Sequence, residues 1–288
     1  MRMRSSNPAV KRALEQHAGQ AQGAGYQQGY GQPGYGRPYP QQGYPQQGYP
    51  AAPPQAGTAP MTIDDVVVRT GMSLGVVVLL AVVNYFTFMS SPGLAMGLTL
   101  VGALGGLVLG LVIAFKNMTS PVAILAYSAL EGLLVGGISA ILATSLAPGG
   151  DTSLITQAVV ATVVVFGVML ALYKFRIIKV TDGFVKAVTY AALGAAALIL
   201  VNFLLSFFIS GGLGLREPSL LGLGIGLVFV VIAALTLAIE FRGIEEGIQA
   251  GVPNQFAWQF AFGLTVSLVW LYIEILRLLW MLKMMFDE

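Results

Sequence analysis

Four ionisable side chains interrupt the long apolar runs of this chain: Glu131, Glu240, Glu274 and Arg277. A charged side chain at the centre of a bilayer costs about 2.5–3.5 kcal/mol on insertion scales. Such residues usually face the interior of a helix bundle, where they line an ion pathway or pair with one another. Carboxylates in this setting suit proton exchange or the binding of a hard cation such as Ca²⁺, which prefers oxygen ligands.

Three of these four residues also have a structural interpretation. Tyr127 precedes Glu131 by one helical turn and could hydrogen-bond to it. Arg277 follows Glu274 at the spacing of an intrahelical ion pair. Three further charged residues lie just beyond the sixth apolar run, where we predict a solvated extension of that helix: Arg242, Glu245 and Glu246.

The chain lacks the residues that most other membrane chemistries need. It has no cysteine, and its only histidine, His17, lies outside the apolar runs. Haem bound by His, zinc bound by His or Cys, and a Ser–His dyad are therefore excluded from the runs. No aspartate lies within the runs for aspartyl proteolysis, and no Gly-Lys-Ser/Thr phosphate loop is present. We predict that the protein is not an enzyme and has no cofactor, with Ca²⁺ as a candidate transported ion.

Composition and length predict how these residues are positioned. The chain is 56% hydrophobic and only 10% charged, whereas soluble domains carry about 25% charged residues. After Met61, seven apolar runs follow, each long enough to cross a core of ~30 Å at 1.5 Å per residue. They cover residues 66–89, 93–115, 121–147, 154–173, 184–209, 219–240 and 256–282. We predict an all-α integral membrane protein with seven transmembrane helices, a domain over residues 61–288, and the lipid bilayer as its surroundings.

Short local signals predict helix ends and helix contacts. Thr62 and Asp65 have the spacing of a capping box, and Asp65 and Arg69 that of an ion pair on one helix face. Small residues repeated every four positions let helices approach closely in lipid. Glycines recur at this spacing in three runs: Gly102/Gly106/Gly110, Gly132/Gly136 and Gly222/Gly226.

Residues 1–60 differ from the rest of the chain. They contain almost no large aliphatic residues, and the pentapeptide Gln-Gln-Gly-Tyr-Pro at 41–45 repeats at 46–50. This composition cannot form a core, so we predict a disordered Gly/Tyr/Pro/Gln-rich tail. A solvated tail and a tyrosine-rich segment that binds partners are both consistent with this pattern. The net charge of +2 is too small to indicate a nucleic-acid partner.

The distribution of basic residues predicts orientation, because lysine and arginine concentrate on the cytoplasmic side. With the tail inside, Arg216 and Lys283 fall outside and the remaining basic residues beyond the spans fall inside: Arg2, Arg4, Lys11, Arg12, Arg37, Arg69, Lys116, Lys174, Arg176, Lys179, Lys186 and Arg242. We expect a multi-pass protein of the cell (inner/plasma) membrane, with a cytoplasmic N-terminus and the C-terminus outside. No cleavable signal peptide is visible, so the first run is expected to direct insertion.

Three stretches of the sequence resemble one membrane-protein family. They are Ala126–Gly132 (AYSALEG), Leu237–Glu240 (LAIE) and Leu271–Leu276 (LYIEIL). They are similar to the Bax inhibitor-1/YccA-like family, of the actinobacterial type with a Gly/Tyr/Pro/Gln tail. The similarity is expected to cover about residues 61–288, with the tail outside the family core.

The resemblance implies a fold with six helices around a central seventh. It also implies a pH-sensitive calcium leak, controlled by a carboxylate pair on helices six and seven. That pair is usually two aspartates, and the matching positions here are Glu240 and Glu274, which would also be the metal ligands.

The spacing of Glu240 and Glu274 leaves a second pair open. Counted from the turn between them, straight helices would leave the two carboxylates ~14 Å apart in depth at 1.5 Å per residue. They can meet only if part of Phe256–Phe262, with Trp258 among its aromatic residues, lies along the membrane interface. Glu131 is at about the depth of Glu240, so Glu131/Glu240 is the competing pair.

Two other functions fit the same sequence. A non-conducting regulator would bind other membrane proteins, such as proteases, with the tail as a docking arm. An ordinary secondary transporter would show internal repeats, and none is evident. Ion flux in liposomes separates the leak from the regulator.

Overall fold

The computed structural model describes residues 59–147, 149–206, 208–209, 213–215 and 217–286. These residues contain seven helices that are long and apolar enough to cross a membrane, which confirms the predicted fold class. In chain order they are α1 (Ile63–Ser90), α2 (Pro92–Lys116), α3 (Pro121–Leu146), α4 (Thr152–Lys174), α5 (Asp182–Leu205), α6 (Leu220–Gln249) and α7 (Ala257–Phe286). The predicted tail lies outside the described residues apart from Ala59 and Pro60.

Local signals in the sequence set the helix ends. Thr62 begins α1 through the predicted capping box: its hydroxyl accepts the N–H of Asp65 at 3.2 Å, and the Asp65 carboxylate accepts the Thr62 N–H at 3.0 Å. Asp65 also pairs with Arg69 at 3.7 Å, as predicted. Proline occupies the first turn of α2 and α3, where no N–H is needed. Asp151 begins α4 by accepting two backbone N–H groups.

α7 lies at the centre of the bundle. Of its membrane-spanning window 61% is buried, against 50% for α3 and 28% or less for the other five helices. α7 packs on α1, α3, α4 and α6, whereas α2 packs on α1 and α3, and α5 packs on α6. Four of the other six helices therefore pack directly on α7, and α2 and α5 lie in outer positions.

Glycines bring α3 close to two neighbouring helices. A Cβ atom on Gly132 would lie 2.5 Å from the Val77 carbonyl oxygen of α1, and a Cβ atom on Gly102 of α2 would lie 2.6 Å from the Leu130 carbonyl oxygen of α3. No side chain fits in that space, so these contacts agree with the packing that the glycine spacing predicts. Gly222, in contrast, faces the loop before α6 and not another helix.

The end of the bundle at which α1 begins is called the tail end here, and the opposite end the far end. Two backbone hydrogen bonds of 2.8 Å join residues 59–61 to residues 252–254, in the loop before α7. Arg69 donates to the carbonyl oxygen of Asn254, and its guanidinium lies 5.7 Å from the centroid of the Trp258 ring. The beginning of the first helix is thereby fixed to the beginning of the last.

Candidate functional site

Glu240 lies on α6 and points at the central helix. A Cβ atom on Gly263 of α7 would be 2.5 Å from Glu240 Oε2 and 2.9 Å from its Cδ, so the carboxylate occupies the space that this glycine leaves. The side chain is half-buried. Among the residues that the structure describes, none donates a hydrogen bond to this carboxylate or forms an ion pair with it. Glu240 is therefore an acidic group inside a membrane-spanning helix, without a counter-charge from the part of the chain that the structure describes.

Glu274 lies on α7 in a different setting. It is 0% exposed and forms an ion pair with Arg277, which is 5% exposed. This contact confirms the intrahelical ion pair that their spacing predicts. The Arg277 guanidinium also lies 5.9 Å from the centroid of the Phe229 ring of α6. Glu274 and Arg277 together bury two opposite charges as a neutral unit.

The contacts between α6 and α7 fix the relative depth of their carboxylates. Glu240 lies opposite Gly263, whereas Phe229, about three turns earlier on α6, lies against Arg277. Along α7, Glu274 follows Gly263 by about three turns, or ~16 Å at 1.5 Å per residue. The structure therefore keeps Glu240 and Glu274 at different depths and does not bring together the pair that the resemblance implies.

The beginning of α7 explains why this offset persists. The Glu240 and Glu274 carboxylates could share one depth only if part of Phe256–Phe262 lay along the membrane interface before the last span. Instead, a 3-10 turn leads directly into α7 at Ala257, and Phe256 and Phe260 are each only 4% exposed. Trp258 is half-buried in the same helix. The condition for bringing the two carboxylates together is not met.

Glu131 lies on α3 and faces α2, so its surroundings differ from those of Glu240 and Glu274. Tyr127 lies one turn earlier on α3 with its hydroxyl close enough to interact with the Glu131 carboxylate, which is the structural contact that the sequence suggests. One carboxylate oxygen lies 3.4 Å from the position of a Cβ atom on Gly106 of α2. The Tyr127 ring meets Phe262 edge-on at a centroid distance of 4.8 Å, which places Glu131 near the depth of Glu240. The two carboxylates face different helices, and neither is a described contact of the other.

The charged residues after the sixth span form a network at the tail end. α6 continues to Gln249, so the predicted helix extension is confirmed. Arg242 donates to Asp182 at 2.7 Å and to Glu246 at 2.6 Å, and Tyr173 of α4 donates to Glu245. The Arg242 side chain is only 18% exposed. A solvated helix end is therefore wrong for Arg242, because its ion pair with Asp182 holds α6 to the first turn of α5.

A stripe of buried polar residues on α1 was not predicted from the sequence. Asn84 donates to the Thr99 hydroxyl at 3.0 Å and to the Leu133 carbonyl at 2.6 Å. The hydroxyl oxygens of Thr70 and Ser73 are buried and have no hydrogen-bond partner among the described residues. Positions 70, 73, 77 and 84 lie on one face of a helix, so a helical wheel of this aliphatic run would have found the stripe.

The described residues offer no ready site for a resident metal ion. Nowhere within the described ranges do three or more His, Cys, Asp or Glu side chains converge as ligands. Glu240 and Glu274 were predicted as joint metal ligands. Because they lie at different depths, a metal ion at either residue would be bound by only one of the two carboxylates. A cation passing either residue would need backbone carbonyl groups and water to complete its coordination.

Comparison with known proteins identifies a family. Residues 7–284 match the family described as Bax inhibitor 1 like. The match begins near the N-terminus, which corrects the expectation that the tail lies outside the family core. No curated protein matches the chain.

Proposed function

The chain is a multi-pass membrane protein of the Bax inhibitor 1 like family, and we propose that it is a pH-sensitive cation leak controlled by protonation of Glu240. The observation that carries the proposal is the setting of Glu240, which lies in a membrane-spanning helix without a counter-charge from any described residue. The choice of Ca²⁺ as the transported ion follows from the family resemblance and from the preference of hard cations for oxygen ligands.

An ionised carboxylate in this position needs a compensating positive charge, because an isolated charge at the bilayer centre costs about 2.5–3.5 kcal/mol. Glu274 obtains that charge from Arg277. At Glu240 a proton or a passing cation would supply it. Both compete for the same oxygens, so protonation removes the group that attracts the cation, and flux is expected to fall as the pH falls.

Weak coordination is consistent with conduction. Ca²⁺ takes about 6–8 oxygen ligands, and one carboxylate supplies at most two. Water and backbone carbonyl groups must supply the others, so the ion is held loosely enough to leave again, as conduction requires. Glu131, at nearly the same depth but beside the Tyr127 hydroxyl, would have a secondary influence on the local potential.

Calcium flux into proteoliposomes, measured at about pH 6 and about pH 8, tests the proposal. The wild-type protein should conduct faster at the higher pH. Glu240→Gln should remove this pH dependence, because the amide is neutral at both values, whereas Glu240→Asp should retain it. Glu217→Gln, a matched loss of an exposed carboxylate outside the spans, should behave as wild type.

Two outcomes would contradict this assignment. Loss of pH dependence in Glu274→Gln but not in Glu240→Gln would move the sensor to the buried ion pair. Absence of flux in the wild-type protein at both pH values would favour the non-conducting regulator.

The regulator is the second candidate, and one contact favours it. The chain enters the bundle through hydrogen bonds that join residues 59–61 to the loop before the central helix. A partner protein, such as a membrane protease, that bound the tail would pull directly on this connection. Co-purification of one membrane protein with the full chain, and its loss on deletion of residues 1–58, would support this function.

The orientation is also a proposal, with the tail end on the cytoplasmic side of the inner membrane. Helix order places most of the basic residues of the described chain at this end: Arg69, Lys116, Lys174, Arg176, Lys179, Lys186 and Arg242. Reporter fusions at Gln55 and Glu288 should label opposite sides of the membrane. Labelling on one side would contradict seven crossings.

A further inference from the structure

A long apolar groove runs between α1 and α4, which scarcely touch each other. It has a volume of about 760 Å³, and α3 and α7 contribute to its floor. Its wall on α1 extends from Val67 to Phe86, and its wall on α4 from Thr152 to Leu170. The α1 wall is ~28 Å long at 1.5 Å per residue, close to the thickness of the hydrocarbon core. The groove therefore opens sideways toward lipid.

The volume of the groove distinguishes between occupants. A helix is about 10–12 Å wide with its side chains, so one crossing the whole groove would need ~2,500 Å³. A methylene group occupies roughly the volume of a water molecule, ~30 Å³, so an acyl chain of 16–18 carbons needs ~500 Å³. The space accommodates one lipid chain, whereas most of the volume of a helix laid along this open groove would remain outside it.

The tail end of the groove carries unpaired positive charge. On α4 the lining residues recur along one helix face at Val163, Phe166 and Leu170, and Lys174 continues that face one turn later. Lys174 and Arg176 are exposed, and neither forms an ion pair with any described residue. A lipid phosphate group bound at Lys174 and Arg176 would lie at the tail end of the groove, next to the end of an acyl chain inserted in it.

We infer that this groove binds an anionic phospholipid, with one acyl chain between α1 and α4 and its phosphate group at Lys174 and Arg176. Two exposed acidic groups at this end oppose an anion here: Asp64 on α1, and Glu245 of α6, which accepts from Tyr173 beside Lys174. The site is separate from Glu240, so it would bind lipid whether or not the protein conducts ions.

Native mass spectrometry of protein released from nanodiscs of phosphatidylglycerol and phosphatidylcholine tests the inference. The wild-type chain should retain one phosphatidylglycerol. Gly71 lines the groove, and a Cβ atom there would have no heavy atom within 4 Å. Gly71→Leu should therefore fill the groove without a clash and lower phosphatidylglycerol retention at least tenfold. Gly75→Leu, equally unobstructed but outside the groove lining, is the matched control and should retain the lipid.

The charge requirement is tested separately. Lys174→Gln and Arg176→Gln should each lower the preference for phosphatidylglycerol about fivefold, since each basic residue near an anionic membrane surface contributes roughly this factor. Lys186→Gln, an exposed lysine on α5, should leave the preference unchanged, and Asp64→Asn should raise it.

Three results would overturn the inference. The first is equal retention of phosphatidylglycerol by wild type and Gly71→Leu. The second is equal retention of both lipids by wild type. The third is a dimer that dissociates in Gly71→Leu, which would assign the groove to a second copy of this chain.

Discussion

Glu240 and Glu274 carry the same functional group on the same pair of helices, but their surroundings differ. The far half of the α6–α7 interface holds Glu274 with Arg277, a neutral unit that is shielded from solvent. The near half, toward the tail end, holds Glu240 against Gly263, where a glycine provides space but no charge. Burial alone would have favoured Glu274 as the functional residue. The presence or absence of a counter-charge separates the two, because only a carboxylate without one must exchange protons or cations.

Removal of Arg277 should have the largest effect on the stability of the protein. Arg277→Met would leave the buried Glu274 carboxylate without the arginine, and breaking a buried ion pair from one side typically costs about 3–5 kcal/mol. Thermal unfolding in detergent should show this loss of stability. The double variant Arg277→Met/Glu274→Gln should recover most of it, because neither side chain is then charged. If the single variant is as stable as wild type, Glu274 does not need Arg277 as a counter-charge, and the two halves of the α6–α7 interface do not differ in this respect.

Gly263→Ala should have the next largest effect. The added methyl group would lie 2.5 Å from Glu240 Oε2. The carboxylate is the end of a flexible side chain and can move away, so we expect a cost of about 1 kcal/mol, the low end of the range for overpacking. In a Glu240→Ala background the same change should cost much less, since the clashing carboxylate is absent. Gly167→Ala, with no heavy atom within 4 Å of the added atom, controls for the glycine-to-alanine change itself. Equal costs in both backgrounds would mean that Glu240 does not occupy the space at Gly263.

Asp151→Asn should have a smaller effect, with a defined pH dependence. The Lys283 ammonium donates to Asp151 at 2.6 Å, and this bond, followed by that from Ser153, lowers the pKa of Asp151 to about 2 from an ordinary value of 3.8. The pair is partly exposed, so its contribution is about 0.2–1 kcal/mol. A lowered pKa means that the contribution is complete above about pH 4 and disappears as the pH falls through about 2.

Unfolding of wild type and Asp151→Asn should therefore differ at about pH 6 and converge near pH 2. A difference that disappears already between pH 7 and pH 5 would make this far-end ion pair a second pH sensor and weaken the special position of Glu240.

Glu240→Gln should have the smallest effect on stability. The amide has nearly the same size as the acid and removes a charge that has no protein partner, so the free energy of unfolding should change by less than about 1 kcal/mol. The same unfolding assay at neutral pH measures this. A loss of several kcal/mol would indicate that Glu240 belongs to a structural ion pair, as Glu274 does.

The sequence determined the features that depend on short distances along the chain. Apolar runs of bilayer length specify seven helices, since each must satisfy its own backbone hydrogen bonds in lipid. The capping box at Thr62, the Glu274–Arg277 ion pair and the Tyr127–Glu131 contact all join residues three or four positions apart, and helical geometry brings such residues together in any fold. These features could be read directly from the residues.

Only the tertiary structure decided which side chains meet across helices. The depth of Glu240 relative to Glu274 depends on where α7 begins, and the 3-10 turn before Ala257 sets that point. The helix that Glu131 faces depends on the rotation of α3, which the close contact at Gly132 fixes. Hydropathy is nearly the same on all sides of such helices, so it contains little information about rotation or axial offset. Packing between helix surfaces supplies that information, and it placed Glu240 and Glu274 at different depths.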